Sequence, residues 1–233
     1  MRLRHNGFFK ENIKSLDWES LRNDESETPY FIPFTLEKYL LRVGSDRPSN
    51  TSEEIIREME LSGYSKIFSI GSGLASQEYQ LKKFSDISVF VSDFTPSILR
   101  LKSFKVFDDC FLINALTDEI PVDESYLILF PRIDTEFDDH QLKALFSKFH
   151  QLGIKRICFI PAQLLSFRII LSELKTRLLG LIRRRPLVFC GYTRSEKYFI
   201  KLWSPYYKIS KKIQTDMVFF FLDNKNNSSY DRI

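Results

Sequence analysis

Five short apolar runs constrain this chain more than anything else in it: IFSI (67–70), ISVFV (87–91), CFLI (110–113), YLILF (126–130) and ICFI (157–160). Each is nearly continuous instead of alternating, so each fits a strand covered on both faces better than an edge strand facing water. Amphipathic stretches separate them, and their spacing predicts helices over 51–61, 74–84, 95–105 and 138–151. Pro96 suits a first helical turn, and Asp138 and Asp139 suit the positive end of a helix. Such alternation implies a parallel sheet with crossover helices. Every run stops on a residue that punctuates or binds: Gly71, then Ser92 and Asp93, Asn114, Pro131 with Arg132, and Pro161. In an open parallel sheet these positions share the carboxyl rim, where ligands bind at the topological switch point.

The C-terminal part differs. AQLLSFRIILSELKTRLLGLIRRR reads as a basic amphipathic helix, with Leu164, Phe167, Leu171, Leu174, Leu178 and Leu181 on one stripe. Core packing is the commonest fate of such a stripe; a partner or a membrane surface touching 164–185 is the other reading. GYTRSEKYFIKLW then suggests a shorter helix capped near Thr193 or Ser195. YYKISKKI and MVFFFL, separated by QTD, read as an antiparallel hairpin. The first 50 residues read as a helical and irregular extension, residues 51–222 as the main domain, and 223–233 as a polar tail.

Composition narrows the class. With 233 residues, 43% of them hydrophobic, and 22 Phe, the chain can bury one full core. The N-terminus turns polar before any long apolar stretch, so neither a signal peptide nor a membrane span is expected. Cys110, Cys158 and Cys190 form no CxxC pair and each sits among apolar neighbours, which points to a reducing cytoplasm. His5, His140 and His150 form no spaced cluster, so no metal site is expected. Segment 151–212 holds 14 Lys and Arg against only Glu173 and Glu196, in a chain whose net charge is +4. One basic face able to meet an anionic substrate or a nucleic acid follows, unless those side chains only solvate helices.

The stretch KIFSIGSGLASQEYQL carries the chemistry. Gly71 and Gly73 follow a buried run and precede a helix, where missing Cβ atoms let a chain turn sharply and a ligand lie against the backbone. A lone GxG is also an ordinary strand-to-helix turn, so its meaning depends on context. Asp93 supplies it, ending the next run about twenty residues on, where a carboxylate can accept from both hydroxyls of a ribose. Ser76 stands where a dinucleotide motif needs its third glycine, and no P-loop is present.

On these residues the chain resembles the class I S-adenosylmethionine-dependent methyltransferases over about residues 51–222. The resemblance rests on SIGSGLASQE, VFVSDF, INAL, YLILFPRI and the terminal hairpin ending in MVFFFL. It implies an α/β Rossmann-like three-layer sandwich, with a mostly parallel seven-stranded sheet and an antiparallel C-terminal hairpin. It implies S-adenosyl-L-methionine as cofactor, with Ser69, Gly71, Ser72 and Gly73 under its methionine part and Asp93 and Phe94 at the ribose. Asn114 and Ala115 would lie beside adenine, and Phe130 to Arg132 would face the methyl group. Many members have an acid where Ser69 stands and a glycine where Ala75 stands. Glu78, one turn into the helix, either lines the pocket or is an ordinary helix-surface acid, and the latter reading is preferred.

Methyl transfer needs an aligned acceptor and, for a hydroxyl, a base. RIDTEFDDH (132–140) offers Asp134, Glu136 and His140, with Arg132 to hold an anionic acceptor. The same acids also suit a helix N-terminus. FPRI replaces the NPPY-like segment of amino-group methylation, and no Pro-Cys nucleophile follows the fourth run. The expectation is a cytoplasmic O-methyltransferase for a small-molecule or sugar-containing acceptor. An RNA methyltransferase using KYFIKLWSPYYKISKK, or a non-catalytic nucleoside-binding protein, is the alternative.

Overall fold

The computed structural model describes residues 2–4, 18–26, 30–171, 174–175 and 192–226. Its centre is a seven-stranded sheet. In chain order the elements are strand β1 (Arg2–Arg4), helices α1 (Trp18–Asn23), α2 (Leu36–Val43) and α3 (Asn50–Ser62), β2 (Lys66–Ile70), α4 (Ser76–Phe84), β3 (Ser88–Asp93), α5 (Ile98–Phe104), β4 (Asp109–Leu112) and β5 (Tyr126–Pro131). There follow α6 (Asp139–Gln151), β6 (Arg156–Ile160), β7 (Tyr192–Arg194), α7 (Glu196–Trp203), β8 (Tyr207–Gln214) and β9 (Val218–Asn224). The sheet order is β4-β3-β2-β5-β6-β9-β8, and β9 is antiparallel to both β6 and β8. The chain leaves β2 towards β3 and β4 and then returns to β5 on the other side, so β2 marks the switch point.

The continuous apolar runs have a direct cause. In β2, β5 and β9, Ile67, Leu127, Leu129, Phe219 and Phe221 face one layer built from α2 to α5. Their neighbours Phe68, Ile128, Phe130, Phe220 and Leu222 face the other layer, built from α6 and α7. Both parities are buried, so alternation disappears. The second layer is aromatic: Phe159 packs against Phe130, Phe146, Phe199 and Trp203 with ring centroids 5.0 to 6.1 Å apart. β8 is one of the two edge strands, and its alternating burial follows the hairpin pattern expected from YYKISKKI.

Several boundaries differ from the sequence expectations. Tyr39 and Val43 of α2 lie in the same core as Ile67, so this part of the N-terminal extension packs into the main domain. β9 continues to Asn224, two residues past the expected domain end. The expected shorter helix begins only after β7, which pairs antiparallel with β1. RLR at the N-terminus and YTR nearly two hundred residues later carry no local signal of this pairing. Along the amphipathic stripe, Leu164 packs against the core, but Phe167, Leu171 and Leu174 are exposed, which corrects the core reading for these three. Both faces of the sheet are already covered by other helices. Leu178, Leu181 and Cys190 lie outside the described residues. Among the described residues, no helix is long and apolar enough to cross a membrane.

Asp138 caps α6 as expected: its carboxylate accepts from the Gln141 amide at 2.8 Å, and the Gln141 side chain accepts from the Asp138 amide at 2.9 Å. Asp139 has another task. It accepts from Arg194 Nε at 2.9 Å and from the Tyr198 hydroxyl at 2.6 Å. Arg194, fully buried, also donates to the carbonyls of Asp134 and Phe137 at 2.7 and 2.6 Å. One guanidinium therefore holds the loop after β5 against α6. Replacing Arg194 by Met removes the donor to the Asp134 and Phe137 carbonyls and the cation beside Asp139, and is expected to cost about 3–5 kcal/mol in urea denaturation, whereas Asp138→Ala costs about 1 kcal/mol.

Candidate functional site

The loop after β2 turns on three left-handed residues: Gly71 (φ 69°), Gly73 (φ 54°) and Ala75 (φ 56°). Glycine is needed at the first two for space as well as conformation. A Cβ on Gly71 would meet Ile133 Cγ2 at 2.6 Å, and one on Gly73 would meet Arg22 Nη2 at 2.5 Å. Ala75 is buried and adopts the left-handed conformation despite its Cβ, immediately before α4.

Hydrogen bonds sew this loop to the end of β3. Ser72 N donates to Ser92 O at 2.8 Å, and Ser92 Oγ donates to Ser69 O at 2.8 Å. Gly73 N donates to Asp93 Oδ2 at 2.9 Å. Asp93 Oδ1 accepts from Thr95 N at 3.0 Å and Thr95 Oγ1 at 2.8 Å. The two motifs read separately in the sequence, glycine loop and acid, thus share one bond. Asp93 does not cap α5, whose N-cap is Ser97; its bonds to Thr95 close the turn before that helix.

Phe94, next to Asp93, is 53% exposed. Asn114 is exposed on the adjoining turn, its Oδ1 accepting from Leu116 N at 3.1 Å, with Ala115 buried beneath. These residues lie together at the carboxyl rim, as expected. Phe130 does not: it is buried among Phe146, Phe149 and Phe159, because the parity of β5 turns it inward.

Glu78 requires a correction. It is 1% exposed and accepts from Ser69 Oγ at 2.5 Å, so it is not a surface acid. Position 69 lacks an acid in the chain, yet a carboxyl reaches it from α4. Burial pushes this carboxyl up to about 7, with the Ser69 hydrogen bond opposing. The clue available in sequence was the pairing of a small hydroxyl at 69 with an acid nine residues on, but that signal needs the helix placement to be read.

The expected acids after β5 separate. Asp134 is 1% exposed, accepts from Ala162 N at 2.6 Å, and leaves Oδ2 without a partner among the described residues. Burial pushes it up to about 6. It ties the β5 loop to the β6 loop and cannot reach an acceptor from there. His140 is exposed on the first turn of α6, and Arg132 is exposed with φ 63°. Glu136 stays at the rim, where Oε2 accepts from Trp18 Nε1 at 3.1 Å. Trp18 and Arg22 are rim residues that sequence reading missed, since they belong to α1, far from every motif.

Two outcomes follow. Gly71→Ala is expected to lose about 2 kcal/mol of stability from its positive φ and the Ile133 collision, measured by urea denaturation. For Glu78, the folded chain keeps a proton that an unfolded chain with its ordinary value near 4.5 has released, so stability falls as pH rises from about 4.5 to about 7. Glu78→Gln is expected to flatten that slope by roughly 1 kcal/mol per pH unit, read from urea midpoints across this window. Asp134 adds a slope of the same sign that the variant leaves intact.

No protein-family model and no curated protein matches this sequence. Solved structures do. Human N-acetylserotonin methyltransferase in complex with S-adenosylmethionine aligns with a TM-score of 0.62 at 14% identity, over 89% of this chain and 58% of that one. Mitomycin 7-O-methyltransferase aligns at 0.59 with 16% identity, over 89% and 60%. Magnesium protoporphyrin IX methyltransferase from Synechocystis, with bound S-adenosylhomocysteine, aligns at 0.53 with 14% identity, over 88% and 90%. The chain spans under two thirds of the length of the first two. With the strand order, the antiparallel last strand and the glycine loop at the switch point, the chain has the fold of the class I S-adenosylmethionine-dependent methyltransferases.

Proposed function

We propose that the chain is an S-adenosylmethionine-dependent methyltransferase acting on an oxygen of a small-molecule or sugar-containing acceptor. The bond from the Gly73 amide to Asp93 carries this reading, because it joins a Cβ-free loop to a ribose-type acid at the switch point. Bound there, the cofactor would supply an electrophilic methyl on a sulfonium. The residues present fit such a group: Gly71 and Gly73 turn the chain at the end of β2, Asp93 places a carboxylate beside Gly73, and Phe94 offers an exposed ring to a base. Glu136 and Arg132 remain as the rim groups able to take a proton from an acceptor or to hold an anionic one.

The solved relatives support a small acceptor, since two act on N-acetylserotonin and mitomycin by their names. The RNA reading loses support in the hairpin, where Lys211 pairs with Glu58 and Lys212 with Glu196. Those lysines are neutralised locally and offer less to a phosphate backbone. The proposal includes a reducing cytoplasmic setting, which the buried free thiols of Cys110 and Cys158 support.

Calorimetric titration with S-adenosylhomocysteine tests the reading. Wild type is expected to bind saturably, and Asp93→Asn, which keeps the shape but removes the charge, is expected to bind at least tenfold more weakly, an effect of about 1.4 kcal/mol. A folded wild type that does not bind sinks the cofactor assignment.

A further inference from the structure

Helix α1 lies across the site just described. Arg22 Nη2 stands 3.7 Å from Asp93 Oδ2 and occupies the space a Cβ on Gly73 would need. Its Nη1 donates to Tyr30 O at 3.2 Å. Its Nε is buried without a partner among the described residues. One turn earlier Trp18 stacks under the Arg22 guanidinium, 5.1 Å from ring centroid to Cζ, and donates to Glu136 at 3.1 Å. Glu19 accepts from Ser97 N at 3.0 Å, and Asn23 accepts from Arg100. Since β3, β2 and β5 are neighbours in that order, contacts to Asp93, Gly73 and Glu136 carry α1 over the end of β2, the switch point itself.

The consequence falls on Asp93. Oδ1 takes two donors from Thr95, Oδ2 takes the Gly73 amide and faces Arg22, and the residue is 3% exposed. A ribose diol needs lone pairs of that carboxylate. Of these neighbours, Arg22 alone comes from outside the β2–β3 rim, and so it alone can leave without dismantling the sheet end.

We propose that α1 is an occluding strap: in the closed arrangement Arg22 shields the ribose-binding carboxylate, and a nucleoside ligand gains Asp93 only when α1 swings away. This rests on the nucleoside reading of the site. The closed contact is built to open. The Arg22–Asp93 separation exceeds a hydrogen bond, the guanidinium is desolvated with one N–H unpaired among the described residues, and a six-residue helix has too few turns to persist by its own hydrogen bonds. The apparent dissociation constant is then the intrinsic one divided by the open fraction. The strap sets affinity and access, and through Trp18 it also holds Glu136.

The test uses the whole chain and S-adenosylhomocysteine as probe. Calorimetry is expected to show Arg22→Ala and Trp18→Ala, which release opposite ends of the strap, binding roughly threefold to tenfold more tightly than wild type. Hydrogen exchange at amides 19–23 is expected to speed up when the probe binds wild type, and to be fast in Arg22→Ala without it. Wild-type binding with an unchanged or weaker affinity in Arg22→Ala overturns the strap alone, as does slower exchange at 19–23 on binding, which describes a lid closing over its ligand. No binding by any of the three proteins overturns the nucleoside site and the strap together.

Discussion

A carboxylate buried at the end of a parallel strand must be paired, and the pairing of Asp93 organises the whole rim. It takes the amide of Gly73, which exists in a left-handed turn only because no Cβ blocks it, and both donors of Thr95, which start the descent into α5. Ser92 and Ser69 extend the same stitching by one residue on each strand. The loop after β2, the turn after β3 and the N-terminal helix therefore meet at one negative charge. A site of this kind is assembled by electrostatics and backbone geometry together, and neither alone would define it.

The loop after β5 is held by the opposite charge. Arg194 reaches from a short strand late in the chain to two carbonyls and to Asp139, and its burial is offset by three hydrogen bonds. This fixes where Glu136 stands at the rim while drawing Asp134 inward. Two acids two residues apart consequently have different surroundings: one is locked between the β5 and β6 loops, the other faces the strap. Their sequence spacing says nothing of this difference.

Legibility followed the range of the interactions. The five apolar runs, the helices between them, the capping acid Asp138 and the terminal hairpin are local patterns, and the structure has them within a few residues of the expected bounds. The glycine loop and Asp93 were legible because a strand-turn-helix unit brings them together through adjacent parallel strands. Phe130 was misplaced because a continuous apolar run hides which parity faces the rim. Glu78 was misread because its partner Ser69 lies on a different element.

By itself the sequence determined the layered α/β fold and the location of the glycine and acid rim, since burial on both faces of each strand and the demands of a tight turn are written in contiguous residues. Only the tertiary structure decided which acids are buried, that Arg194 clamps the β5 loop, and that Arg22 and Trp18 cover the switch point. Those outcomes depend on side chains separated by tens to more than a hundred residues, and no local pattern encodes a contact until the sheet order has set which chain ends are neighbours.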